Sequence, residues 1–245
     1  MISPIQKTSV SQQVVNYVLD LIEQGELKPG DRLPVEREFA DSLGISRVPL
    51  REGISALAAL GIVERRHGDG NYIAGFSPDI MGRILRTYTL LEGTLTADLF
   101  EARSLVEGAA ARLAARNATA EDISALEADI QAMETTIPDY INGRKQLADM
   151  LKLDDLFHLR CAAASHNEFY IQFVNIVHIA GTDMGLYEAT YGSQPEKYYD
   201  SVKFHRQLFD AIRAGDEVQA QEVMCKHIEE IRSYAEPDLR SRSSI

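Results

Sequence analysis

The chain has 245 residues, 45% of them apolar, which is material for one large domain or two ordinary ones with real cores. No stretch approaches the roughly 18 consecutive apolar residues of a membrane-spanning helix, and two cysteines, Cys161 and Cys225, are too few for a disulfide scaffold. Taken alone, the net charge of −12 argues against nucleic-acid binding, but residues 1–76 carry 8 Lys/Arg and 10 Asp/Glu against 17 and 27 in the remainder, so a local basic face remains open to the N-terminal third.

The N-terminal run MISPIQKTSVSQQ has neither an apolar stretch nor a cleavage signal, which predicts a cytoplasmic protein. Val14, Val18, Leu21 and Ile22 recur at helical spacing and predict an amphipathic helix over 10–25. GELKPGDRLP reads as a turn. A short second helix is expected from about Val35 to Leu43, with Pro34 near its start and Gly44 at its end. Ser46 is placed as the N-cap of a third helix that runs to about Leu60 and stops at Gly61. IVERRHGDGNYIA supplies two short β-runs around a Gly-Asp-Gly turn, and FSPD reads as a linker.

From residue 79 onward the pattern is helical throughout. LTADLFEARSLVEGAAARLAARN is one helix, with Asn117 near its end. Thr119 opens the next, with Asp122 as its capping-box partner. Further helical runs cover 144–165, 167–190, 197–214 and 217–235, and Gly215–Asp216 stops one helix and starts the next. PDLRSRSSI reads as a flexible tail. The expected fold is therefore mainly α. Residues 1–76 form a winged helix-turn-helix with a small β-hairpin wing, 77–236 an all-helical bundle, and 237–245 a tail.

On a helical wheel, Leu50, Gly53, Ile54, Leu57 and Leu60 fall on one side of the third helix, and Arg47, Val48, Arg51 and Ser55 on the other. An apolar back and an arginine-bearing front, after a short helix and a glycine turn, is the pattern of a DNA recognition helix. Arginine is the side chain best shaped for guanine O6 and N7. Arg37 could reach a phosphate or base edge, and Arg65, Arg66 and His67 flank a turn whose Gly68 and Gly70 allow close approach to a groove. Residues 10–75 resemble the DNA-binding domain of the GntR family: LKPGDRLPVEREFADSLGISRVPLREGISALAALGIVERRHGDGNYIA follows that family's pattern nearly residue by residue. The resemblance implies that Arg37, Ser46, Arg47, Arg51, His67 and Gly68 contact operator DNA. Gly53 stands where the family usually has alanine, which is expected to cost the third helix some stability without touching the reading face.

A second constellation lies in the helical part. Asp154 and His158 are four residues apart and share a helix face. His205 lies 10 residues before Gly215 and His227 lies 12 after it. Both should stand about 15–18 Å from the turn of a helical hairpin, at nearly one level. Three imidazoles and a carboxylate suit zinc, or nickel or another divalent ion. His178, in an apolar stretch, reads as a satisfied core residue. Residues 79–235 resemble the FCD ligand-binding domain of the FadR subfamily of GntR regulators, through LFEARSLVEGAAARLAA, DDLFHLRCAAASHN and HRQLFDAIRAGDEVQAQEVMCKHI. In metal-binding members of that subfamily the residues matching Asp154, His158, His205 and His227 are the ligands.

Such a site leaves room for an effector carboxylate. Arg103 suits either a second carboxylate anchor or an ordinary salt bridge, and Asn167 either an effector contact or a helix cap. Cys161 reads as a small core residue, and Cys225 should point away from the site. The whole reads as a homodimeric regulator, a repressor that binds a short palindromic operator and answers to a small molecule. Two other readings are a metal-dependent enzyme using the Asp/His quartet and an architectural DNA-binding protein.

Overall fold

A computed structural model describes residues 8–92, 95–185, 191 and 194–242. The chain divides into two compact units, residues 1–80 and 81–245.

The first unit is built from α1 (Val10–Glu23), α2 (Glu36–Leu43), α3 (Arg47–Ala59), β1 (Val63–Arg66) and β2 (Gly70–Ile73). Val14 and Val18 of α1, Phe39 of α2, and Leu50, Ile54 and Leu57 of α3 close one core, with Val63 and Ile73 of the hairpin beneath them. The strands are antiparallel, with Val63 opposite Ile73 and Arg66 opposite Gly70, and Arg32 adds an isolated bridge to Tyr72. Gly44 ends α2 in the left-handed conformation that a residue with a β-carbon adopts at a cost. Ser46 does hold the N-cap position of α3, but its hydroxyl makes no capping bond. Leu60, expected on the apolar face, is the C-cap and is exposed.

Gly53 corrects the sequence expectation. A β-carbon there would lie 2.8 Å from Val14 Cβ and 2.9 Å from the Ser11 carbonyl oxygen. The glycine is what lets α1 lie close against α3, so it contributes packing where propensity alone foresees a loss.

The second unit is helical. Its elements are α4 (Pro78–Glu92), α5 (Leu95–Asn117), α6 (Ala120–Ile141), α7 (Leu147–Ala164), α8 (Glu168–Asp183), α9 (Lys197–Ala214) and α10 (Glu217–Arg242). Thr119 and Asp122 form the expected capping box, and Gly215 (φ 72°) turns α9 into α10. The core gathers Phe100, Leu126, Ile130, Met133, Phe157, Tyr198, Phe209, Met224 and Ile228. Helix α5 runs beside α10, α7, α8 and α9. It lies close against α10 at Gly108, where a β-carbon would be 2.7 Å from Cys225 Sγ.

Two boundaries differ from expectation. Helix α4 begins at Pro78, inside the supposed linker, because proline is well suited to a first helical turn. Helix α10 continues to Arg242, through the supposed tail; a helix already formed can pass Pro237 at the loss of one backbone bond. Residues 186–190, expected as helix, and 243–245, expected as tail, lie outside the described residues. Among the described residues no helix is long and apolar enough to cross a membrane.

Candidate functional site

The expected quartet is assembled. Asp154 and His158 come from α7, His205 from α9 and His227 from α10, and all four are buried. One donor atom from each lies within 4.8 Å of all the others. His205 Nε2 is 3.3 Å from His158 Nε2, 3.2 Å from His227 Nε2 and 3.6 Å from Asp154 Oδ1; His158 Nε2 is 3.9 Å from Asp154 Oδ2. Ligand atoms about 2.0–2.1 Å from a tetrahedral ion stand about 3.3–3.4 Å from one another. The pairs of His205 with His158 and His227 already have this spacing, and Asp154, at 3.6 and 3.9 Å, would need to close by a few tenths of an ångström around a small divalent ion.

The electrostatics agree with a cation. Three imidazole nitrogens turned toward one point cannot all satisfy each other by hydrogen bonds, whereas one positive charge satisfies all of them. Burial, and then the neighbouring imidazoles, push His205 and His227 well below the ordinary histidine value. That keeps the rings in the neutral form that ligates. Burial raises Asp154. The Phe157 ring lies 4.4 Å from the His205 ring and Phe204 lies 5.5 Å from His227, so the His205–His227 side of the site is apolar.

Behind the quartet is a layer of charge that spacing did not reveal. Glu107 of α5 is buried and accepts a hydrogen bond from Arg103 Nε. Its Oε2 is 2.5 Å from His158 Nδ1 and its Oε1 is 3.3 Å from His178 Nε2. His178 Nδ1 is 2.7 Å from Asp155 Oδ1, and His178 Nε2 is 3.0 Å from Arg103 Nη2. Burial opposes ionisation of Glu107, but Arg103, His158 and His178 outweigh it and hold the carboxyl well below its usual range. Burial and Arg103 lower His178; Glu107 and Asp155 outweigh them and place it at about 8. His178 is thus a buried residue with polar partners, in keeping with its core reading, but it belongs to the network around the site. Glu107, His158 and His178 could by distance hold a second ion. Arg103 already supplies positive charge there, so the triplet is better described as an outer layer of the quartet.

Arg103 is thus in an ion pair with Glu107, one residue removed from a quartet histidine. Asn167 is not brought to the quartet. It lies beyond the C-terminal end of α7, roughly 9–13 Å past His158 along the helix direction, and its side-chain oxygen accepts the Phe169 N–H as the N-cap of α8. Cys161 is buried in the core and Cys225 faces Ser104 and Gly108, both as expected.

In the first unit, Arg37, Arg47, Arg51, His67 and Gly68 line one concave face, which Arg32, Arg65 and Arg66 also border. Arg47, Arg51 and Val48 are exposed on α3. Arg51 Nε donates to Glu36 Oε2 at 2.6 Å, and Arg65 Nη2 donates to Ser55 Oγ at 2.6 Å, which fastens the wing to α3. Arg66 stacks over the Tyr72 ring at 4.2 Å and the Tyr72 hydroxyl donates to Asp69, so the wing tip is braced. Gly68 at that tip has φ 75° and open space around its α-carbon. Ser46 is exposed at the start of α3.

Comparison with known proteins identifies both domains. Residues 10–73 match the family described as bacterial regulatory proteins, gntR family, and residues 98–230 match the FCD domain. The HTH-type transcriptional regulator LutR of Bacillus subtilis is 30% identical over 212 residues, covering 85% of this chain and 93% of its own. The Glc operon transcriptional activator of Escherichia coli is 27% identical, covering 93% and 89%. The solved structure of Streptococcus agalactiae GntR is 30% identical with a TM-score of 0.66, covering 91% of this chain and 99% of its own. The GntR-type helix-turn-helix makes this a DNA-binding protein, and the family settles the choice between regulator and enzyme. The chain belongs to the GntR family of bacterial transcription regulators, with an FCD domain following its DNA-binding domain.

Proposed function

We propose that this protein is a cytoplasmic, homodimeric repressor of the FadR subfamily that controls a metabolic operon in response to a carboxylate-bearing effector. The observation that carries this reading is the convergence of Asp154, His158, His205 and His227, all buried, from three helices. They would hold a divalent ion, zinc before nickel or another metal. Such an ion would offer an effector carboxylate an open coordination position. Arg103 stands one residue behind, with a guanidinium shaped for a carboxylate. Asp154 and His158 tie α7 to the α9–α10 hairpin, so an effector pulling on these residues would strain the helices against one another. Regulation then requires that the effector bind two arrangements of the dimer with different affinities.

At the other end, Arg47 and Arg51 would read base edges. Arg37, Ser46, His67 and Gly68 would fix the domain on a short palindrome, one half-site per protomer. An operator overlapping the promoter makes the bound protein a repressor.

The test pairs metal content, by elemental analysis, with operator titration in the presence of candidate hydroxy and sugar acids. Full-length His205→Ala and His227→Ala should lose metal and effector response while still binding operator. Full metal content and a normal effector response in both would remove the site. An operator affinity indifferent to every acid, with metal bound, would leave an architectural DNA-binding protein.

A further inference from the structure

Glu107 is the residue through which α5 meets the quartet, and no ligand pattern in the sequence includes it. Its carboxylate is 2% exposed. One oxygen is 2.5 Å from His158 Nδ1; the other is held by Arg103 from one side and lies 3.3 Å from His178 on another. His178 is itself fixed by Asp155 at 2.7 Å. The carboxylate is therefore held on three sides and shielded from water.

A neutral imidazole carries one proton on either of two nitrogens, and only the bare nitrogen can ligate. An ionised carboxylate accepts and never donates. Placed against Nδ1, it keeps the proton there and leaves the lone pair on Nε2, the atom that faces Asp154 and His205. His205 provides the contrast, since among the described residues its Nδ1 has no hydrogen-bond partner.

We propose that Glu107 is the positioning residue of the metal centre: it fixes His158 as the Nδ1–H tautomer and aims its Nε2 at the ion, with Arg103 and His178 holding the carboxylate in place. This rests on the quartet being a metal site. The role also explains why a carboxylate is buried on α5 beside an arginine four residues away, an arrangement that costs desolvation of both charges.

The experiment uses full-length protein stripped of metal, with Zn2+ affinity measured by competition against a chromophoric chelator. Glu107→Gln keeps the shape but can turn its amide either way, so the tautomer is no longer imposed. It should bind Zn2+ about 10–100-fold more weakly than wild type, and its thermal midpoint should rise less on adding Zn2+. A merely structural role would lower the metal-free midpoint and leave the affinity unchanged; that result overturns the proposal. If wild type takes up no Zn2+, the metal site and this role fall together, and if only Glu107→Gln matches wild type, the metal site survives alone. Should the variant not fold, 15N spectra of metal-free wild type at pH 8 decide. The Nδ1–H tautomer at His158 is expected, and the Nε2–H tautomer overturns the role.

Discussion

Gly53 on α3 and Val14 on α1 approach so closely that a β-carbon on the glycine would sit 2.8 Å from Val14 Cβ. Neither Val14 Cβ nor the nearby Ser11 carbonyl is the free end of a flexible side chain, so both helices would have to move apart. Alanine would gain roughly 1 kcal/mol in helix propensity and lose about 1–3 kcal/mol by overpacking. Gly53→Ala should therefore destabilise the DNA-binding unit. Chemical denaturation followed by a probe in residues 1–80 measures it, and a more stable variant would refute the close-packing account.

Arg47 and Arg51 share the exposed face of α3. If they contact bases, Arg47→Ala and Arg51→Ala should each cost roughly 1–3 kcal/mol of operator binding. The salt bridge from Arg51 to Glu36 orients the guanidinium without burying it. Glu36→Ala should thus weaken sequence discrimination more than total affinity. Titrations at one fixed salt concentration, on operator and on scrambled DNA, separate the two. Unchanged affinity in both arginine variants would remove α3 as the reading helix.

The sequence exposed the fold and the ligands to different depths. Amphipathic spacing and glycine stops located α1 to α3 and the hairpin because each signal is local. The quartet was legible because i,i+4 spacing and the distances of His205 and His227 from Gly215 fix positions along helices. Glu107 and Asp155 were not, since their partners lie 51 and 23 residues away on other helices, and only packing brings them together. Gly53 was misjudged for the same reason: propensity concerns one helix, and its effect here depends on a second. Asn167 was a polar residue near the right stretch, yet the end of α7 sets it apart from the site.

Helix α4 leaves Met81, Ile84, Tyr88 and Leu91 exposed at roughly three- and four-residue intervals. One winged helix reads one half-site weakly, and an apolar stripe of this kind is costly to leave in water. A symmetric dimer is expected, and Ile84→Glu with Leu91→Glu should weaken it. Sedimentation of the full chain at micromolar concentration, with and without operator, decides; a wild-type monomer in both would contradict the assembly.

The last prediction concerns acid. His205 and His227 are held well below their ordinary value by burial and by neighbouring imidazoles, so the folded, metal-free protein keeps them neutral. In the unfolded chain each takes up a proton near pH 6.5. Below that pH the unfolded state binds more protons than the folded one, so stability falls as pH falls through about 6.5. A bound ion acts in the same direction, because it adds RT ln(1 + [M]/Kd), about 2.7 kcal/mol at a hundredfold excess over Kd, and protonated imidazole cannot ligate. Between pH 8 and 6.5 His178, held at about 8 by Glu107 and Asp155, works the other way. From about pH 6.5 down to 5 the thermal midpoint of the helical unit should therefore drop in chelator, and drop further with Zn2+ present. His205→Gln should shrink both drops, since the glutamine amide neither titrates nor replaces the imidazole as a ligand. Midpoints measured by circular dichroism across that range test it. A Zn2+-loaded protein no more sensitive to acid than the stripped one would mean that these histidines do not hold the ion.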